Sequence, residues 1–398
     1  MAKDSIRDYS ATSSDNSDIQ SVDISEGCAP SGLNNAIREV MTDLKNVSAG
    51  TVALETPVAD SFSTDTISEK TSATGVTIDG VLLKDGAIGS IANAVAAHLT
   101  SINGGQIGGS RNLIINGNMA VSQRGTSVTS FSSQDYTTAD RWKLIGSNFG
   151  TWTVTQSTDV PAGQGFANSF KLDCTTADTS IGAADSLRFR QGIEGQNLQH
   201  LKKGTSNAES VTFSFWVKTN KTGSYAFELL DQDNSRHICK LYTVDSANTW
   251  EKKVFTFAGD TSGVLDNDNA MSFQPQWYLI AGTDSTSGTL ATSWASRVAA
   301  NKAAGHNVNL ADSTSNEWYI TGVQLEVGEV ATPFEHEPFS VTLQKCERYY
   351  NRIYDIWCDF AVYANNGRMS RRVDFPTTMR ANPSMTRNSV STTNCDGV

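Results

Sequence analysis

The chain has 398 residues, of which 38% are apolar and only 18% charged, with 31 glycines and a net charge of −11. That length allows two or three domains. A charge-poor composition in which Ser, Thr and Asn recur throughout suits many short strands joined by turns and does not suit a helical enzyme. Residues 1–70 carry twelve acidic against five basic side chains, which excludes a nucleic-acid-binding arm, since phosphate contacts need clustered Lys and Arg.

Six cysteines stand at 28, 174, 239, 346, 358 and 395 without any C-x-x-C pair. Zinc ribbons and thioredoxin-type sites are thereby excluded, and free, mostly buried thiols made in a reducing compartment are predicted. Residues 1–25 lack the basic-then-apolar start of a signal peptide. No apolar run is long enough to span a membrane. The expectation is a protein made in a reducing cytoplasm that, if it works outside a cell, leaves by lysis and not by the secretory route.

In chain order, residues 1–30 are polar with isolated apolar side chains at Ile6, Tyr9, Ile19, Val22 and Ile24. Such a pattern cannot bury its own core and predicts a segment that is disordered alone or an arm laid on a partner. Ala29-Pro30-Ser31 reads as a helix start with Ser31 as candidate N-cap. Leu33, Ile37, Val40 and Leu44 follow at spacings of four, three and four, a narrow seam that runs to about Asn46. A helix this short is marginal alone, so its stripe must meet copies of itself or another protein. Residues 1–48 are read as an attachment arm and helix, with Ile6, Tyr9, Ile19, Val22, Ile24, Leu33 and Ile37 as docking candidates.

Residues 49–87 have too few apolar side chains for a monomeric domain. Thr74–Gly86 carries two Asp-Gly turn signals, so a β-rich shaft of intertwined chains is expected there. Residues 88–110 read as a short helical collar from Ser90 to about Asn103, with Ile91, Val95 and Ile102 on its seam and His98 as a rim residue, followed by a Gly-rich joint. Residues 111–339 are strand after strand: Leu113–Asn116, Trp152–Gln156, Ser169–Cys174, Leu187–Gln191, Val211–Lys218, Tyr225–Leu230, Lys252–Phe257 and Trp318–Glu326. Ala291–Ala304 is expected as a short helix within a long insertion. This pattern predicts an antiparallel sandwich or jelly roll. Residues 340–398 add a helix, Thr342–Arg352, and a hairpin.

Several segments resemble the jelly-roll head of tailed-phage fibres, which is similar to carbohydrate-binding modules. They are Asn112–Met119, Gln123–Ser127, Ala139–Trp142, Phe213–Lys218, Trp318–Gly328 with Ala331–Glu335, and Cys346–Tyr350. Glu26–Ser31 with Asn34–Glu39, and the Val76–Gly86 segment, resemble the tail-attachment and shaft regions of marine-phage fibres. The resemblance implies a mainly β, elongated homotrimer docked on a tail or baseplate protein through its N-terminus. It also implies a head that binds a host surface glycan or receptor through multivalent weak contacts. Family members continue past a Met-Arg-x-x-Pro segment like Met379–Pro383, so a chain truncated at Val398 is expected. A purely structural virion appendage is the alternative.

Five histidines, at 98, 200, 237, 306 and 336, show no metal-ligand spacing, and no nucleophile elbow or phosphate loop is present. No catalytic, cofactor or metal residue is therefore assigned. Glycoside hydrolysis, which needs only two carboxylates, stays open as a further alternative. Asp231, Asp233 and Asn234, and Asp266, Asn267, Asp268 and Asn269, are oxygen-rich turns in which calcium competes with plain turn formation. Trp142, Trp216 and Trp318 are expected in the core. Trp277, Tyr278 and Trp294 lie in loopier surroundings and are glycan-platform candidates. In the C-terminal hairpin, an Asn365-Asn366 turn places Asp359 opposite Arg372 and Ile356 opposite Phe375, avoiding the Asp359–Asp374 pair of the other register. Trp357, Tyr363, Asp359 and Arg372 then share an outer face, the last candidate platform.

Overall fold

The computed structural model describes residues 8–49, 110–353 and 374–386, and the backbone of 76–78, 81–84 and 87–90. The chain divides into two compact units, Met1–Ala97 and His98–Val398. Among the described residues no helix is long and apolar enough to cross a membrane.

In the first unit, helix α1 spans Pro30–Ser48. Proline at its first turn and extended Ala29 before it place the N-cap at Ala29 rather than Ser31. Two short strands, β1 (Asp18–Ile19) and β2 (Val22–Asp23), pair antiparallel and pack on this helix. Their turn residues Gln20 and Ser21 both take positive φ, at 44° and 66°. Asp43 on the helix flank is buried, and a buried carboxylate must be hydrogen-bonded. Gln20 Nε2 donates to one oxygen at 2.8 Å, and the Tyr9 hydroxyl donates to the other. Tyr9, Ile19 and Val22 are half-buried because the segment folds back on the chain's own helix, which corrects the expectation of an arm held only by a partner. Ile24 is also half-buried. Leu33, Ile37, Met41 and Leu44 remain more than half exposed along one face of the helix. Strands β3 (Val76–Ile78), β4 (Val81–Lys84) and β5 (Ala87–Ser90) form a three-stranded antiparallel sheet where the shaft is expected. The collar helix and Ile6 lie outside the described residues.

The second unit is mainly β, an antiparallel sandwich consistent with a jelly roll. One sheet has the order β16 (Glu251–Phe257), β13 (Val211–Thr219), β19 (Glu317–Val327), β10 (Ser169–Thr176), β9 (Thr151–Ser157), β6 (Ser127–Phe131). The other runs β18 (Ala295–Ser296), β15 (Arg236–Val244), β14 (Gly223–Asp231), β17 (Met271–Ala281), β11 (Ser186–Arg190), β8 (Lys143–Ser147), β7 (Asp135–Tyr136), and β12 (Ile193–Glu194) also pairs with β17. Period-two alternation points Phe213, Phe215 and Val217 of β13 inward. They meet Phe227 of β14 and Trp277 of β17, with ring centroids 4.9 Å apart for Phe213–Phe227 and 5.4 Å for Phe215–Trp277. Phe170 of β10 meets Phe189 of β11 at 4.7 Å. Burying each such side chain contributes roughly 2–3 kcal/mol.

Seven of the expected strands form close to their expected limits, but Leu113–Asn116 does not. It turns instead, because the Asn112 side chain bonds both the local backbone and β19: Oδ1 accepts from the amides of Ile114 and Leu325, and Nδ2 donates to the Val323 carbonyl. Ala291–Ala304 is not one helix. It holds β18 and a single 3-10 turn, Ala299–Asn301, and helix α2 (Thr283–Thr286) precedes it. Trp142 and Trp318 are fully buried as expected, whereas Trp216 is half-buried on the outward side of β13. Helix α3 spans Phe339–Glu347, starting earlier than expected and ending before Arg352. The two ends of the sandwich meet at Glu335, whose carboxylate accepts from the amides of Ser110 and Asn112, both at 2.7 Å.

Candidate functional site: an arginine–tyrosine cleft

Segments far apart in sequence converge beside α3. Asn116 takes a positive φ of 59°. From there its side chain donates to the Val121 and Asp140 carbonyls and accepts from the Val121 amide. Trp142 Nε1 donates to the Asn116 carbonyl at 2.9 Å. Gly117 sits so close to β19 that an added Cβ would lie 2.0 Å from the Val323 carbonyl oxygen. This knot presents Asp140, which is almost fully buried. Burial pushes its carboxyl pKa up, against the opposing pull of Gln123 Nε2 at 2.6 Å and Arg124 Nη1 at 3.4 Å.

The residue next to it, Arg141, holds a φ of 77°, a left-handed conformation unusual for a side chain of this size. Its guanidinium stacks on the Tyr349 ring, 3.3 Å from the centroid, and donates to the Gly192 carbonyl. Its Nε is buried without a partner. Arg124 stacks on Tyr350 at 3.6 Å. Gln123 Nε2 also donates to the Tyr350 carbonyl at 2.8 Å. Arg348 clasps Glu194 with both Nε (3.0 Å) and Nη2 (2.8 Å). Burial alone would raise the Glu194 pKa, but these hydrogen bonds hold it below the usual carboxylate value. The cleft these groups enclose has a volume of about 380 Å³, with Tyr136, Tyr349, Tyr350, Arg124, Arg141 and Arg380 on its walls. Rings and planar guanidinium groups offer apolar faces and forked N–H donors to a ligand.

A second polar assembly lies on the outer face of the eight-stranded sheet. Glu228 is fully buried, and Arg297 grips it through Nε (2.8 Å) and Nη2 (3.1 Å). Tyr278 donates its hydroxyl to the same carboxylate at 3.0 Å, and His237 Nδ1 lies 2.9 Å away. Burial would raise the Glu228 pKa, but His237 and Arg297 bring it down to about 2. Glu228, His237 and Cys239 stand close enough to hold a metal ion. A guanidinium already occupies both Glu228 oxygens, so the trio fits an ion-paired knot better than a metal centre. No sequence spacing revealed it, because the pairing of β14 with β15 and the return of Arg297 create it.

Trp277 and Tyr278, expected in a loop, stand on β17 with exposures of 0% and 1%. Buried between neighbouring strands, neither offers a face to a ligand, which removes both as platforms. Trp294 does lie outside a strand, half-buried, stacked on Phe273 at 6.0 Å with its Nε1 donating to the Ala258 carbonyl. Trp357, Asp359, Tyr363 and Arg372, and with them the hairpin register, lie outside the described residues, as do Cys358 and Cys395. Of the proposed calcium ligands, Asp231 is taken by the buried ammonium of Lys203 at 2.6 Å, and the Asn234 side chain donates to the same carboxylate. Asp233 accepts from the Asp266 amide, and Asp268 accepts from the Ala270 amide. Asn269 donates to the Arg380 carbonyl, and Asn267 is exposed. Only the Asn234–Asp231 and Asp268–Ala270 contacts lie within turns; the others join segments distant in sequence. Cys28, Cys174, Cys239 and Cys346 are free thiols, the last three buried.

Fold and cleft together define an antiparallel β-sandwich protein with a surface cleft of arginines and tyrosines. No protein-family model matches the chain, and no curated protein matches it. Among solved structures it is similar to the enzymatically active domain of tailspike protein 4 of bacteriophage CBA120, at 15% identity over 55% of this chain and 21% of that one, with a TM-score of 0.29. A putative sugar-binding protein from Bacteroides thetaiotaomicron aligns at 13% identity over 54% of this chain and 99% of its own, TM-score 0.29. TmCBM61 in complex with β-1,4-galactotriose aligns at 10% identity over 55% and 99%, TM-score 0.29.

Proposed function

We propose that this chain is a structural and host-binding fibre of a tailed-phage virion, a homotrimer docked through its N-terminal unit, whose sandwich head binds a host surface glycan in the arginine–tyrosine cleft. The observation that carries the proposal is the convergence on one cleft of Gln123–Arg124, Asp140–Arg141 and Arg348–Tyr350, three of the segments that resemble phage fibre heads. Two stacked guanidinium–tyrosine pairs there leave aromatic and hydrogen-bonding surface facing outward. Weak single-site binding is sufficient when three heads share one fibre. The exposed stripe of Leu33, Ile37, Met41 and Leu44 supports assembly, because an apolar helix face of that length gains by burial against copies of itself.

A purely structural appendage is the competing reading. Purified full-length protein should bind susceptible host cells and not resistant ones, and Tyr350→Ala should weaken that binding. Absence of binding to either strain would favour the structural role. One observation favours glycan cleavage instead. Asp140 and Glu194 share the cleft and are pushed in opposite pKa directions, the pattern of an acid and its partner carboxylate. Both are already engaged by arginines, so binding without cleavage is the proposal. Host polysaccharide should keep its chain length after prolonged incubation with the protein, and its shortening would overturn that part.

A further inference from the structure

Strand register lays one row of side chains across the outer face of the sheet. Tyr136 of β7 pairs with Lys143 of β8, Lys143 with Arg190 of β11, Arg190 with Gln276 of β17, and Gln276 with Glu228 of β14. The neighbouring row places Arg188 between Ile145 and Tyr278. At the Glu228 end the row is sealed and its charge is neutralised by Arg297. At the other end Lys143, Arg188 and Arg190 are half-exposed. Among the described residues none of these three has a carboxylate within ion-pair distance. The two arginines donate only to glutamine side chains, Arg188 to Gln276 at 3.2 Å and Arg190 to Gln274. Arg188 Nε is buried and has no partner.

Three cations gathered without counter-charge raise a local positive potential, in a chain whose net charge is −11. Burial, and after it the nearby Arg188 guanidinium, push the Arg190 pKa down to about 10. Tyr136 belongs both to this row and to the cleft wall, so the two surfaces are continuous.

We infer that the ligand of the cleft is an acidic saccharide, whose carboxylate or sulfate is received by Arg188, Arg190 and Lys143 on the outer face of the sheet. This deepens the glycan-binding proposal and rests on it. Guanidinium forks match planar and tetrahedral oxyanions alike, and the unused Arg188 donor is the kind of group such an anion would satisfy.

The test is calorimetric titration of the full chain with oligogalacturonate, a sulfated galacto-oligosaccharide, and an uncharged galacto-oligosaccharide of equal length. The expected result is that an acidic probe binds at least about tenfold more tightly than the neutral one, and that its affinity falls when salt is raised to about 0.5 M. Arg188→Gln with Arg190→Gln should remove that preference, and Arg190→Lys should keep part of it. Lys143→Gln, at a half-exposed position, serves if the arginine variants fail to fold by near-ultraviolet circular dichroism. The response to the two acidic probes separates a carboxylate ligand from a sulfate ligand. Equal binding of neutral and acidic probes, unmoved by salt or substitution, overturns the inference and leaves glycan binding standing. Absence of binding to every probe overturns both.

Discussion

The guanidinium of Arg141 lies 3.3 Å from the ring centroid of Tyr349, joining the sandwich to the segment that leaves α3. A desolvated cation–π contact of this kind stabilises by about 2 kcal/mol. Tyr349→Ala should therefore lower unfolding stability in urea by about 2–3 kcal/mol, since aromatic packing is lost as well. Tyr349→Phe, which keeps the stack, should retain most of it.

Asn116 holds three backbone groups from a left-handed conformation and carries Trp142 on its carbonyl. Asn116→Ala leaves the Val121 amide and the Asp140 carbonyl without these partners, while the Val121 carbonyl keeps the Asp140 amide, and should cost about 2–4 kcal/mol. The near-ultraviolet signal of Trp142 would report the change, and an unaltered spectrum and melting temperature would contradict the role given to this turn.

Two buried groups set the acid limb of stability. Glu228 is held at about 2, below its ordinary 4.5, so its contribution is complete above pH 4.5 and is lost as pH falls toward 2. Burial pushes His306 down to about 4 from 6.5, so the folded state excludes its proton. The His306 contribution is complete above pH 6.5 and is lost as pH falls through 4. Each is worth on the order of 3 kcal/mol. Denaturation curves between pH 7 and 4 should steepen through His306 first, and His306→Gln should flatten that region.

Ile37 and Leu44 project from α1 more than half exposed within one chain. Light scattering of the full chain at micromolar concentration should give three copies. Ile37→Asp with Leu44→Asp should lower that number without loss of helical signal, because neither side chain supports the fold of the single unit. A monomeric wild type would remove the trimer from consideration.

The strands were legible where bulky apolar residues alternate, as in Phe213-Ser214-Phe215-Trp216-Val217. Trp277-Tyr278 does not look like a strand in the sequence because β17 is buried on both faces. Its Gln274 and Gln276 are as deeply buried as its aromatics, their amides donating to Gln232 and Glu228, so the alternation that marks a half-exposed strand is missing. Leu113, Ile114 and Ile115 look strand-like, but the Asn112 and Asn116 side chains beside them bond backbone groups of β19 and of the Val121 and Asp140 segments and turn the chain instead. The cleft itself was only partly legible. Its segments stood out singly, and their meeting depends on contacts such as Arg348–Glu194, 154 residues apart. The cationic row depends on cross-strand register, which a linear pattern does not carry.

The clamp at Glu335 holds the entry and exit of the sandwich together, both amides lying 2.7 Å from one carboxylate. A folded body whose two ends touch can be exchanged between chains as a cassette, because the sequences on either side need only find each other at one point. Recombination could then exchange the sandwich and keep whatever precedes Ser110 unchanged, provided the incoming cassette brings its own clamp and a surface that fits α3 and the segment after it.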